Sequence, residues 1–203
     1  MSSEIKANKL SPGSGNDVAM GDSGDTFTFA SGSTVDLTGV IKTGFPAGGL
    51  SVAQTFRENA DHVNGATSIV IGAANFEEAD QAGYSPLPAS SGITQSSGVF
   101  TFPSTGRYLV LASVRSSQAV TAYSYTNIQY SSNSGVAWTT QSQGVMMYHV
   151  IATYADNQCH AVVDINNDST DRVRVTFDSS NTSITVYGDT AFNETYVTLI
   201  KLT

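Results

Sequence analysis

Apolar and polar residues alternate along most of the chain after residue 50, and this two-residue period predicts β-strands. The alternation is clearest in residues 172–177, Arg-Val-Arg-Val-Thr-Phe, where one face of a strand would be buried and the other wet. Clusters of Ser, Asn, Asp and Gly separate such runs. We therefore expect strands over residues 68–71, 99–102, 107–115, 121–130, 136–143, 145–153, 159–165, 172–178, 183–187 and 195–202.

Strands separated by short turns are typical of a sandwich or barrel, so residues 50–203 are predicted to form one all-β, antiparallel domain. Residues 51–63 suit a helix face or a strand face, and the surrounding strands favour the latter. Residues 1–49 differ, because they hold many Gly residues and only short β-prone pieces, which cannot bury a core alone. We expect an extended β-rich tether or thin shaft there, with a disordered tail as the alternative.

The final predicted strand carries bulk on both of its faces. Tyr196, Ile200 and Leu202 share one face, and Val197 and Leu199 share the other. A strand that is apolar on both faces must be covered twice, once by its own core and once by something else. A neighbouring copy of the chain is the simplest second cover, so the sequence predicts a homo-oligomer.

Charge and composition exclude several partners. The chain has 9 Lys and Arg against 17 Asp and Glu, a net charge of −8, whereas nucleic acids and anionic membranes attract cationic proteins. Its apolar runs are about five residues long, far short of the ~20 that span a bilayer, so no membrane insertion is expected. Residues 1–20 contain no signal-peptide core, and the single cysteine, Cys159, forms no internal disulfide. We expect a protein folded in a cytoplasm.

The sequence offers no recognisable catalytic constellation. Cys159 and His160 are adjacent, but neighbours in a strand point to opposite faces and cannot form a dyad. His62 and His149 have no motif around them. We therefore expect no enzymatic activity and no cofactor.

Two clusters could bind ligands. One alternates oxygen-bearing side chains that could wrap a calcium ion, although the EF-hand pattern fails and a solvated turn is the favoured interpretation: Asp164, Asn166, Asp168 and Asp171. The other is a set of aromatic residues, Tyr123, Tyr125 and Trp138, on or near adjacent predicted strands. Aromatic rings stack on sugar faces, so these residues are candidate glycan contacts, although a place in the core or an interface is the favoured interpretation.

Residues 98–110, Gly-Val-Phe-Thr-Phe-Pro-Ser-Thr-Gly-Arg-Tyr-Leu-Val, resemble the G-x-F-x-x-P-x-x-G-x-Y-x-[FV] stretch of one jelly-roll family. This family includes the globular head of the first complement component and the tumour-necrosis-factor ligands. Residues 196–201 resemble its last strand. The resemblance implies a ten-stranded jelly roll that packs as a tight homotrimer. The residues expected at the trimer interface are Phe100, Tyr108, Val110, Tyr196, Thr198, Ile200 and Leu202.

Within this family the chain is most similar to virion proteins of marine phages, especially cyanophages. The similarity lies in residues 96–106 and in the order Gly-Asp-Thr, aromatic residue and final strand over 188–196. Residues 3–10 resemble the leaders of phage fibre proteins. The resemblance implies a phage structural protein, a trimeric short fibre, tail fibre or surface appendage, located in the virion and assembled in the host cytoplasm.

In this interpretation residues 1–45 attach the head to other virion proteins, such as the portal, a tail adaptor or the capsid. The residues expected to make that attachment are Ile5, Leu10, Phe27 and Phe29. The head could also contact host surface polysaccharide. Two alternatives remain open at this point: a capsid decoration protein, and a trimeric lectin-like module unrelated to phages.

Overall fold

The computed structural model describes residues 50–64, 67–87, 92–118, 122–148 and 153–202, all within one compact unit, Gly48–Thr203. These residues contain no helix and form thirteen strands. In chain order the strands are β1 (Ala53–Glu58), β2 (His62–Asn64), β3 (Ser68–Val70), β4 (Phe76–Glu78), β5 (Thr94–Ser96), β6 (Val99–Thr101), β7 (Gly106–Gln118), β8 (Ala122–Ser131), β9 (Thr139–Tyr148), β10 (Thr153–Ile165), β11 (Arg172–Ser179), β12 (Ile184–Val186) and β13 (Tyr196–Lys201).

The strands build two sheets in which every pairing is antiparallel. The strand order of the seven-stranded sheet is β2-β12-β7-β13-β1-β4, and β10 also pairs with β7. The six-stranded sheet runs β5-β6-β11-β8-β9, with β3 also paired to β11. Two antiparallel sheets stacked face to face bury one side of each strand. The expected all-β, antiparallel class is therefore confirmed for the described residues.

The core lies between the sheets and consists of the side chains that alternate inward along each strand. The rings of Phe56, Phe76 and Phe100 form one cluster, with centroids 5.4 to 6.2 Å apart. Val173, Val175 and Phe177 are fully buried, as the alternation of residues 172–177 predicts. Burying an aromatic or branched side chain contributes about 1.5–3 kcal/mol, so this layer is the main source of stability.

The Phe-Pro-x-x-Gly-x-Tyr motif forms the turn by which the chain crosses from β6 in one sheet to β7 in the other. Gly106 adopts a φ of 139°, which glycine tolerates best. The ring of Tyr108 packs 4.6 Å from that of Phe102, and its hydroxyl donates to the carbonyl oxygen of Ser104 at 2.9 Å. The spacing of Pro, Gly and Tyr in the motif is therefore explained by this turn and by the hydrogen bond that closes it within one chain.

The strand predictions were wrong in three places. Residues 136–143 and 145–153 were expected to be two strands, but residues 139–148 form one, β9, and residues 136–138 precede it. Gly144 lies inside β9, where a Cβ atom would come within 2.4 Å of the Gln158 carbonyl oxygen. The glycine thus marks a close approach of β10 and not a turn. The prediction also missed β4 and β5, whereas the favoured strand interpretation of residues 51–63 is confirmed by β1 and β2.

Candidate functional site

A band of apolar side chains crosses the outer face of the seven-stranded sheet. Residues directly opposite each other on neighbouring strands point to the same face. The pairings Leu87 to Ala53, Ala53 to Ile200, Ile200 to Leu109 and Leu109 to Val162 therefore make one continuous row. We call this row the apolar band: Leu87, Ala53, Ile200, Leu109 and Val162. None of these five residues is buried, and Val162 is 57% exposed.

The next row on the same face is mixed. It contains Leu111 on β7 between Thr198 on β13 and His160 on β10. The Thr198 hydroxyl is 2.8 Å from that of Thr55 on β1, so the two hydroxyl groups form a hydrogen bond with each other. The outer face is therefore apolar along the apolar band and becomes polar further along β7. An apolar strip with a polar rim is typical of a surface that a second protein chain could cover.

Three of the seven predicted interface residues are wrongly placed. Phe100, Tyr108 and Val110 are each 0% exposed in a single chain, because they point into the core from β6 and β7. A side chain with no exposed surface cannot touch another copy. Tyr196, Thr198 and Ile200 lie on the outer face of β13 and are half-buried, while Leu202, 43% exposed, follows the strand. For these four residues the contact with another copy stays a prediction.

The sequence analysis missed Leu109, Leu111 and Val162. The signal was available in the sequence, because residues 108–112, Tyr-Leu-Val-Leu-Ala, are apolar at every position. Such a run indicates a strand with two covered faces. Val162 stands between core residues Ala161 and Val163 and carries the same signal.

A cleft of about 500 Å³ opens on the same outer face, beyond the mixed row. Ser113 on β7 lies four residues from Leu109 of the apolar band, which is roughly 13 Å along a strand. Arg115 forms an ion pair with Glu194 at 3.3 Å, and its guanidinium lies 5.3 Å from the centre of the Tyr154 ring. The lining residues are Ser113, Arg115, Asp156, Gln158, Phe192, Asn193, Glu194 and Tyr196.

The loop that forms one wall of this cleft, residues 188–195, is tied down at both ends. The Asp189 carboxylate accepts hydrogen bonds from the backbone of Ala191 and Phe192, and the Thr195 hydroxyl accepts one from the backbone of Arg115 at 3.1 Å. The buried guanidinium of Arg57 donates to the carbonyl oxygen of Thr190. The cleft is therefore built on a fixed loop.

Arg57 also binds the acidic cluster at residues 77–80. Its guanidinium donates to Glu77 at 2.9 Å, to Gln81 at 2.7 Å and to Asp80. A buried charge is tolerated when its donors are satisfied in this way. The acidic residues hold a buried arginine under the loops of the outer face.

The structure brings two of the three candidate glycan contacts together. The rings of Tyr123 and Tyr125 are 5.4 Å apart on the outer face of the six-stranded sheet, opposite Met147 and Val145 of β9. Trp138 stacks instead under Arg174, at 4.2 Å, and Arg174 donates to Gln129. Gln129 is four residues beyond Tyr125, roughly 13 Å along β8, so Trp138 does not extend the tyrosine pair.

The oxygen cluster at residues 164–171 closes a turn. One Asp171 carboxylate oxygen accepts hydrogen bonds from the backbone of Asn166 at 2.7 Å and Asn167 at 3.0 Å, and Asp164 pairs with Arg107. Within the described ranges no group of three or more His, Cys, Asp or Glu side chains is arranged to hold a metal ion. The turn is explained without a metal.

Cys159 faces the core, whereas His160 faces the outside of the sheet, as the strand argument predicts. Burial raises the pKa of the Cys159 thiol to about 11, so it is a poor nucleophile at neutral pH.

The predicted attachment residues Ile5, Leu10, Phe27 and Phe29, and also His149, lie outside the described residues. No helix in the described part of the chain is long and apolar enough to cross a membrane.

A second, smaller cavity of about 180 Å³ has a carboxyl group in its wall. It is lined by Glu58, His62, Ile69, Val70, Ala73 and Ala74. Burial raises the pKa of Glu58 to about 7, although the backbone N–H of Gly72 donates to its carboxylate at 2.6 Å. Burial also lowers the pKa of His62, whose Nδ1 has no hydrogen-bond partner among the described residues. The buried carboxyl of Glu58 therefore changes its protonation state near neutral pH.

Comparison with solved structures identifies the fold of the described domain. No protein-family model and no curated protein matches the sequence. Among solved structures, the Eiger TNF from S. frugiperda is similar with a TM-score of 0.55 and 16% identity, covering 75% of this chain and 92% of that one. Murine APRIL at pH 5.0 is similar with a TM-score of 0.52 and 12% identity, covering 74% of this chain and 98% of that one. At these identities the likeness concerns architecture alone, and the described domain has a tumour-necrosis-factor-like jelly-roll fold.

Proposed function

We propose that this chain is a non-enzymatic structural and binding module in which three copies close around the outer face of the seven-stranded sheet. The observation that carries the proposal is the apolar band, which runs across the sheet from Leu87 to Val162 without being buried in one chain. Covering such a band with identical copies removes apolar surface from water, which is the dominant favourable term in association. The rim of Thr198 and His160 would then stay partly wet.

We place the module on a bacteriophage particle, as a short fibre, tail fibre or surface appendage. Support for this comes from the resemblance of residues 96–106 and 188–196 to marine phage virion proteins. Residues 1–45 would make the attachment to the portal, a tail adaptor or the capsid. Peptide mass spectrometry and antibody labelling of purified particles test this location, and failure to find the chain in particles would favour a trimeric lectin-like module unrelated to phages.

The assembly is tested by native mass spectrometry and sedimentation of the full chain. We expect a mass of three copies for the wild type and dissociation for Val162→Lys, because a lysine in the covered band would bury an unpaired charge. Val145→Lys is the matched control, since Val145 is 59% exposed on the other sheet and Val162 is 57% exposed. A wild type that is monomeric on dilution, or a Val162→Lys variant that stays trimeric, contradicts the proposal.

A further inference from the structure

The cleft beside the apolar band has an aromatic wall that packing within the chain does not explain. Phe192 is 69% exposed, although the loop that carries it is tied to Arg57 and Arg115 and is closed internally by the Asp189 carboxylate. Tyr196 lines the same cleft from β13. An exposed aromatic side chain on a fixed loop offers a flat apolar surface at low entropic cost. This is a suitable surface for the C–H face of a sugar ring.

The polar groups of the cleft both donate and accept hydrogen bonds. Arg115 and Gln158 supply N–H donors, while Asp156 and Glu194 supply carboxylate acceptors. A sugar hydroxyl can donate and accept at once, which matches this mixture.

The charge and volume of the cleft restrict the class of ligand further. Two carboxylates surround one guanidinium, so the cleft carries a net negative charge and disfavours sialic acids or sulfated sugars. Its volume of about 500 Å³ lies within the range of small-molecule sites, roughly 300–1,000 Å³. The cleft is open on one side, so the end of a longer chain could occupy it.

We propose that this cleft binds a neutral saccharide, the end of a short oligosaccharide, with one ring stacked on Phe192 and hydroxyl groups bonded to Arg115, Asp156 and Gln158. The inference rests on the proposed function for its biological meaning, since it names the ligand class of the proposed binding module. It places the sugar on the seven-stranded sheet and not on Tyr123 and Tyr125.

Saturation-transfer NMR on the full-length protein tests this site with neutral disaccharides built from glucose, galactose, mannose and N-acetylglucosamine, and with sialic acid for comparison. We expect saturation transfer to at least one neutral sugar and roughly tenfold weaker binding by Phe192→Ala, which corresponds to the loss of one stacking contact. Met147→Ala is the matched control, because Met147 is 70% exposed on the other sheet, and it should bind as the wild type does.

The outcomes are distinguishable. Absence of transfer to every neutral sugar, equal transfer to sialic acid, or unchanged affinity of Phe192→Ala overturns the saccharide proposal. Weaker binding by Tyr123→Ala with Phe192→Ala unaffected places the sugar on the tyrosine pair and also overturns it. The native mass of each variant is measured in parallel. A monomer that still binds sugar contradicts the assembly and supports the cleft, while a trimer that binds none does the reverse.

Discussion

The replacement Glu58→Gln should stabilise the protein at alkaline pH and have little effect at acidic pH. Glu58 is buried, and burial raises the pKa of its carboxyl from 4.5 to about 7. Between these two values the folded chain holds a proton that the unfolded chain has lost, so the free energy of unfolding falls as pH rises through this window. The difference of about 2.5 pK units corresponds to roughly 3 kcal/mol per chain. Glutamine is neutral and can still accept the hydrogen bond from Gly72.

Urea denaturation at pH 5 and pH 8, at one fixed chain concentration, measures this effect. We expect Glu58→Gln to exceed the wild type by up to about 3 kcal/mol at pH 8 and by much less at pH 5. His62, in the same cavity, titrates with the opposite sign because its pKa is lowered, and it is present in both proteins. Glu78→Gln, an exposed carboxyl on β4, is the control. A Glu58→Gln gain that is absent at pH 8, or equal at both pH values, refutes the reasoning.

Two further replacements test the packing. Tyr108→Phe removes the hydrogen bond to the Ser104 carbonyl oxygen, so it should lower the free energy of unfolding by about 1 kcal/mol. The native mass of the assembly should stay unchanged. A changed mass would show that Tyr108 contributes to the contact between copies. Gly144→Ala places a Cβ atom within 2.5 Å of the Asn157 side-chain oxygen and even closer to the Gln158 backbone, so it should cost about 1–3 kcal/mol, and an unchanged melting temperature would contradict the close approach.

The strands could be predicted from the sequence because side-chain alternation is a local property. The long strands β7, β8, β10 and β11 all overlap predicted segments, whereas β4, Phe-Glu-Glu, and β5, Thr-Gln-Ser, are short and mostly polar, so they lack the β-branched and aromatic residues that mark a strand. The glycine at 144 could not be interpreted locally, because its meaning depends on β10, which follows it in the chain. Alternation, moreover, identifies two faces and does not say which one faces the core.

The ambiguity between the two faces explains why the interface prediction included residues of the core. Tyr108 and Val110 alternate with Leu109 and Leu111, and both faces are apolar, so the sequence alone cannot assign the inner face. The cleft was even less accessible to prediction. Its residues come from β7, β10, the loop before β13 and the first residue of β13, and they meet only after the sheet has formed. Arg115 and Glu194, for example, are separated by 79 positions.

The pairing of β1 with β13 has a practical consequence for anyone who handles or modifies the protein. Ala53, near the start of the domain, lies opposite Ile200, near the end of its last strand. The backbone that enters β1 at residues 50–52 and any tag that follows β13 therefore lie side by side, at the end of the sandwich marked by the turn at residues 103–106. A label meant to leave the far end of the domain free, where β7 runs past Arg115 toward Ser117, can be attached after β13.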